Sequence, residues 1–282
     1  MFDIIIKNGI VIDGTGTKGV VSDIGINRNK ITATGKIGEN VKTKITINAN
    51  GKYVCPGFID ILDHSDIFWT LFSVPRMDSK VMQGVTTIIG GNCGSSLAPV
   101  VGKSSVDSLR KWIDVGNINI NWSRIREFLS VLGERDIGIN FGTLVGHEIL
   151  RRGLLGDEVR IITDEEVKAI GKMLADGLEE GAFGMSTGLV FSHAKMTTIA
   201  EIKYLSEILK ANESLYASHI RGEAEELLPS INETIQICRM TRVSVEISHL
   251  KAVGEKYWPD MPKALKMIDI ANEEGFDIDF DI

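Results

Sequence analysis

Apolar residues follow two regimes along the chain. Up to about residue 54 they come in short runs: Ile4 to Ile6, Ile10 to Ile12, Val20-Val21, Ile24 to Ile26, Lys30 to Thr32 and Lys44 to Ile47. Asn8-Gly9, Asp13-Gly14, Asn27-Arg28-Asn29 and Ala49-Asn50-Gly51 separate them, breakers that suit tight hairpins. So short a β-rich stretch, with few bulky aromatics, cannot bury both faces of its own sheet, and reads as part of a domain. From Cys55 onward strands alternate with helical patterns, the mark of βα units on a parallel sheet. Seven strands are predicted: Gly57 to Ile61, Val85 to Ile89, Ile137 to Val145, Ala182 to Ser186, Leu215 to His219, Val243 to Ser248 and Phe276 to Ile282. Thr163 and Glu166 form a capping box ahead of Val167, Ile170, Leu174 and Leu178 on one helical face, and Gly181 stops that helix. Thr198 and Glu201 repeat the spacing before Ile202, Leu205 and Leu209. A further helix is expected over Glu223 to Met240, and Pro262 opens a last one. Gly102 to Arg135, with Trp112 and Trp122, reads as a partly helical insertion over the face that carries Cys93.

This pattern gives an α/β protein with most of a (β/α)8 TIM-like barrel over 55–282 and a small partial β-sandwich portion over 1–54. A closed barrel needs an eighth strand to remove its bare edges. The chain therefore reads as the front part of a longer one, its sandwich completed by residues past 282.

Composition narrows the partners. The 282 residues are 43% hydrophobic and 24% charged, ordinary for a globular protein. A formal charge of −7 supplies no basic stripe for nucleic acid. Three cysteines without regular spacing fit a reducing compartment. No secretory signal and no run of about 18 apolar residues is evident, so a cytoplasmic protein is expected.

Barrel enzymes place their working groups at strand C-termini. The second predicted strand runs into Asn92-Cys93, the fifth stops on His219 and the sixth on His249. A lone free cysteine is usually a small buried hydrophobe, but one sulfur and two imidazoles at three strand ends match a catalytic zinc site with one position open. Such a zinc lowers the pKa of water toward 7 and polarises a carbonyl, the chemistry of amide hydrolysis. The first strand end offers Asp60, Asp63, His64 and Asp66, of which Asp63 is a candidate substrate contact and His64 a further candidate ligand; the third offers His147 for substrate. Arg221 and Lys251 each follow a ligand histidine by two places and are expected to hold a carboxylate, Arg in a two-point clamp.

Several stretches carry a family resemblance: the opening Ile4 to Gly16, Pro56-Gly-Phe-Ile-Asp60, Gly90-Gly-Asn-Cys-Gly94, Gly184-Met-Ser-Thr-Gly-Leu189, Ser218-His-Ile-Arg221 and Ile247-Ser-His-Leu-Lys251. Together they resemble the N-acyl-D-amino-acid deacylase (D-aminoacylase) branch of the amidohydrolase superfamily. The resemblance implies a metal-bearing barrel with a small sandwich from both chain ends. It also implies a tightly held zinc on Cys93, His219 and His249, and a carboxylate site near Lys251 and, less directly, Arg221. Three positions depart from it. Leu62 stands where the family has the first histidine of His-x-His, leaving His64 alone and implying one zinc per chain. Phe191 replaces the usual tyrosine after Ser-Thr-Gly-Leu. The aspartate that the resemblance places at the end of strand eight lies beyond Ile282, and Asp279 and Asp281 belong to strand seven.

The expected partner is thus a small N-acyl amino acid, with self-association left open. Two rivals stand beside this reading. A cyclic-amide hydrolase of dihydroorotase or hydantoinase type shares the barrel but lacks a strand-four lysine counterpart in Ala182 to Leu189. A non-catalytic scaffold is motivated by Leu62 and the missing strand.

Overall fold

The computed structural model of the chain describes residues 1–109, 114 and 119–282; Trp112 lies outside the described residues. The chain divides into two compact units, Met1–Phe58 and Ile59–Ile282.

The first unit is a five-stranded sheet of β1 (Phe2–Val11), β2 (Val20–Asn27), β3 (Lys30–Gly35), β4 (Thr43–Asn48) and β5 (Tyr53–Val54), ordered β3-β2-β1-β4 with β5 also on β1. Asn8-Gly9 is not the hairpin turn its dipeptide suggests: β1 runs straight through it as a bulge, with Asn8 at φ 61°. The cause is Asp23, buried on β2, whose carboxylate accepts the Asn8 N–H at 2.9 Å, the Ile37 N–H at 2.9 Å and the Lys7 ammonium at 3.2 Å. β4 and β5 then pair parallel to β1 rather than as hairpins.

In the second unit the strands are β6 (Phe58–Asp60), β7 (Val85–Gly90), β8 (Asn140–Thr143), β9 (Val145–Gly146), β10 (Gly184–Gly188), β11 (Leu215–His219), β12 (Ser244–Ile247) and β13 (Ile278–Phe280). They form two runs, β6-β7-β8 and β13-β12-β11-β10-β9, with parallel register between β7 and β8 and throughout β9 to β13. Leu144 links the runs, since its N–H donates to the Gly90 carbonyl at 2.9 Å. The predicted third strand is therefore split, and its first residues are not strand because the Gly138 N–H bonds the Pro75 carbonyl at 2.8 Å.

The helices are α1 (Thr70–Ser73), α2 (Asp78–Val81), α3 (Lys103–Ser108), α4 (Ile125–Gly133), α5 (His147–Leu155), α6 (Asp164–Glu179), α7 (Ile199–Ala211), α8 (Leu227–Thr241) and α9 (Met261–Glu273). Their apolar stripes, such as Ile170 and Leu174 on α6 and Ile202, Leu205 and Leu209 on α7, are buried in one core with Met185, Tyr216, Val245 and Ile247 from the strands. α6 carries the reciprocal Thr163–Glu166 box. On α7 only half of it forms: Thr198 accepts the Glu201 N–H at 3.1 Å, while the Glu201 carboxylate turns inward to His147 and Arg151.

α8 begins at Leu227 and not at Glu223. Pro229 explains the difference, because a helix starting at Glu223 would place it in the interior, where it lacks a donor and clashes with the carbonyl four residues back. With Leu227 first, Pro229 sits in the opening turn. Residues 223–226 are released into the loop after β11.

Candidate metal centre

Three strand ends build the site. His219 closes β11, His249 lies two residues past β12, and Cys93 lies three past β7. Their ligand atoms, a sulfur and two ring nitrogens, all fall within 4.8 Å of one another. Cys93 Sγ is 3.5 Å from His249 Nε2, and that nitrogen is 2.9 Å from His219 Nδ1. His64 Nε2 adds a fourth group 3.7 Å from the sulfur.

The backbone is held in this shape at a cost. Cys93 has φ 53° and His249 φ 41°, left-handed conformations that disfavour a side chain by roughly 1–2 kcal/mol each. Neighbours enforce them. The His249 N–H donates to Asp281 Oδ1 at 2.7 Å, and the Leu250 N–H to the Asp281 carbonyl at 2.8 Å. Around Cys93, the Gly94 N–H donates to Ser186 Oγ at 2.9 Å and the Ser186 hydroxyl donates back to the Gly91 carbonyl. Gly91, at φ 76°, packs so closely on the Leu144 backbone that no Cβ fits. Buried Asn92 ties the first and second strand ends together: its Nδ2 donates to the carbonyls of Ile89 at 2.8 Å, Ile61 at 3.2 Å and Asp63 at 3.4 Å.

The donor set suits a soft divalent cation. Tetrahedral zinc with bonds of about 2.3 Å to sulfur and 2.05 Å to nitrogen puts S and N about 3.5 Å apart and two nitrogens about 3.3 Å apart. The Cys93 sulfur to His249 nitrogen distance is 3.5 Å, the Cys93–His219 pair lies within 4.8 Å, and the two nitrogens need move apart by only a few tenths of an ångström from 2.9 Å. Burial, with the neighbouring His249 and Lys251, lowers the His219 pKa to about 4, so its ring is neutral and carries the lone pair a cation needs. His64 is likewise pushed down by burial.

Glu223, freed by the late start of α8, is the group that sequence reasoning missed. Its Oε1 lies 3.0 Å from His249 Nδ1, 3.7 Å from His219 Nε2 and 2.6 Å from Lys251 Nζ. Burial opposes its charge, but His249 and Lys251 outweigh that and hold its pKa down at about 2. Two signals were present in the chain: the i,i+4 spacing from His219 and the position of Pro229.

The other expected residues fall as follows. Lys251 joins the cluster's rim, its ammonium also donating to the His249 carbonyl at 3.1 Å. Phe191 packs its ring 5.2 Å from that of His219. His147 is fully buried at the start of α5, with Nε2 2.8 Å from Glu201, which also binds Arg151. Arg221 donates to Glu233 at 2.8 and 3.0 Å and to the carbonyls of Lys195 and Thr197. It braces the loop that carries Glu223. Asp63 accepts the Ser65 N–H and pairs at 2.6 Å with Lys80, which also holds Asp60 at 2.7 Å. Trp122 of the predicted insertion is buried and donates to the Leu97 carbonyl at 2.7 Å, four residues past Cys93.

The amidohydrolase family model matches residues 46–235, and the chain belongs to that family. Within it, the chain is 33% identical over 270 residues to the D-aminoacylase of Alcaligenes xylosoxydans xylosoxydans, covering 96% of this chain and 55% of that protein. The structure of N-acyl-D-glutamate deacylase from Bordetella bronchiseptica, complexed with zinc and a phosphonate mimic of the tetrahedral intermediate, superposes with a TM-score of 0.91 at 32% identity, over 100% of this chain and 58% of that one. A D-aminoacylase structure described by its binuclear metal centre, with one-metal activation and second-metal attenuation, matches with the same TM-score, identity and coverage. The fold is the amidohydrolase fold, of TIM-barrel type. The chain spans a little over half the length of the relatives it matches. Among the described residues no helix is long and apolar enough to cross a membrane.

Proposed function

We propose that this chain is the metal-bearing part of a zinc-dependent amidohydrolase that removes the acyl group from N-acyl-D-amino acids. The observation that carries the reading is the convergence of Cys93, His219 and His249 at three strand ends, with ligand atoms within 4.8 Å. Residues 1–54 are then a β-sandwich portion and 55–282 the metal-bearing (β/α)8 barrel portion. One zinc per chain is assigned, because Leu62 stands where the resemblance has an imidazole and Lys80 already pairs with both Asp60 and Asp63.

Zinc supplies Lewis acidity toward the acyl carbonyl and a lowered pKa for water. The protein residues bind and orient. Cys93, His219 and His249 fix the metal, and Lys251, 48% exposed at the rim, meets the substrate carboxylate. The Phe191 ring beside His219 supplies an apolar wall without a hydroxyl. Proton transfer is not assigned to any residue of 1–282, since the resemblance gives it to an aspartate of an eighth strand.

The test is an assay on the protein extended through that strand, zinc-loaded, with N-acetyl-D- and N-acetyl-L-amino acids. Release of free amino acid from the D series, abolished by Cys93→Ala, is expected. A zinc-loaded protein that cleaves neither series contradicts the substrate assignment.

A further inference from the structure

We infer that Glu223 is a positioning residue that sets both metal-binding imidazoles and the Lys251 ammonium through one carboxylate oxygen. The inference rests on the zinc reading above and deepens it. Glu223 Oε1 stands 3.0 Å from His249 Nδ1, 3.7 Å from His219 Nε2 and 2.6 Å from Lys251 Nζ. In each ring the nitrogen near Glu223 is the one that does not face the other ring, since His249 Nε2 and His219 Nδ1 meet at 2.9 Å. An ionised carboxylate only accepts hydrogen bonds, so it draws the His249 ring proton to Nδ1 at 3.0 Å, while its charge, 3.7 Å from His219 Nε2, favours the proton on that nitrogen electrostatically. That leaves lone pairs on the two nitrogens that face each other, one of them 3.5 Å from the Cys93 sulfur, the arrangement a cation requires and the one outer carboxylates impose on metal-binding histidines.

His249 Nδ1 has competing neighbours, because Lys251 Nζ lies 2.9 Å away and would make it an acceptor. The carboxylate decides the matter: Lys251 has the shorter contact to Glu223 itself, at 2.6 Å, and a second acceptor in the His249 carbonyl at 3.1 Å. Nδ1 remains a donor once Nε2 gives its lone pair to a metal. The backbone that carries Glu223 is held from two sides. The Glu223 carbonyl accepts the Val253 N–H at 2.7 Å from the loop after β12, and the Gly222 N–H donates to Ser230 Oγ of α8 at 3.0 Å. Glu223 therefore links the metal ligands to the group assigned to the substrate anion.

Glu223→Gln keeps the side chain's shape and removes its charge. In the 282-residue chain, chelator competition is expected to show zinc held roughly 10- to 100-fold more weakly than in the wild type, with the metal-free unfolding midpoint unchanged. Glu223→Asp, which keeps the charge one methylene short, is expected to fall between the two and serves if the amide variant does not fold. Lys251→Met removes the ammonium with its contacts to Glu223 and His249 but leaves the carboxylate, and is expected to weaken zinc less than Glu223→Gln does. Wild-type affinity in Glu223→Gln, or an equal loss in Lys251→Met, overturns the inference while leaving the zinc site standing. A wild-type chain that takes up no zinc overturns the zinc reading, and this inference with it.

Discussion

Cys93 Sγ and His249 Nε2 meet at 3.5 Å across 156 positions of sequence. Neither residue lies within a regular strand, and both have left-handed backbones that their neighbours impose. A bound ion would offset the cost of these conformations.

Zinc binding should therefore stabilise the chain. At a free concentration a hundred times its dissociation constant, a bound ion contributes about 2.7 kcal/mol. Calorimetry of the zinc-loaded chain should show a raised Tm that chelator reverses. In Cys93→Ala the zinc-dependent rise should vanish; an undiminished rise would place the ion elsewhere.

Asn92 is predicted to matter for stability rather than chemistry. Asn92→Ala withdraws a buried amide from three carbonyl oxygens, of Ile61, Asp63 and Ile89. A loss of about 1–3 kcal/mol in urea unfolding is expected, and zinc affinity should fall because the Cys93 loop is no longer tied to β6. Wild-type stability would refute this.

The buried group of His147, Arg151 and Glu201 is expected to be structural. Burial raises the Glu201 pKa, but the hydrogen bond from His147 and the charge of Arg151 bring it below its ordinary value. Glu201→Ala strands the Arg151 guanidinium, itself 1% exposed, at a cost of about 3–5 kcal/mol in unfolding free energy. A loss under about 1 kcal/mol would show that the pair contributes little.

Asp66 gives a pH signature. Its side chain is fully buried, one oxygen accepting the Gly91 N–H at 2.8 Å and the other without a hydrogen-bond partner; burial lifts its pKa from 3.8 to about 7. The folded chain thus holds a proton that the unfolded chain releases above about pH 4. Asp66's contribution to stability is greatest below that pH, declines as pH rises from about 4 to about 7, and is level above, a change on the order of a few kcal/mol. Asp66→Asn should flatten that part of the stability profile whatever it does to the absolute value. An unchanged slope would assign it to other groups.

Much of this was legible beforehand, for identifiable reasons. The parallel strands announce themselves because their apolar runs are bounded by helices with clear caps, as at Thr163. His219 ends one such run, and His249 and Cys93 follow two others by two and three residues, so proximity to strand ends is what singles them out. What local pattern could not show was long-range bonding. Asp23 turns Asn8-Gly9 from a turn into a bulge, and Glu201 spends its carboxylate on His147 rather than on its helix cap. Arg221 is taken by Glu233. Glu223 falls within the predicted helix because apolar Leu227, Leu228, Ile231 and Ile235 set its period, although Pro229 favours a later start.

The central assignment is most directly tested by zinc K-edge X-ray absorption on the loaded chain. The predicted first shell holds one sulfur at about 2.3 Å, two imidazole nitrogens at about 2.0–2.1 Å and one further light atom. A shell of nitrogen and oxygen with no sulfur would contradict it.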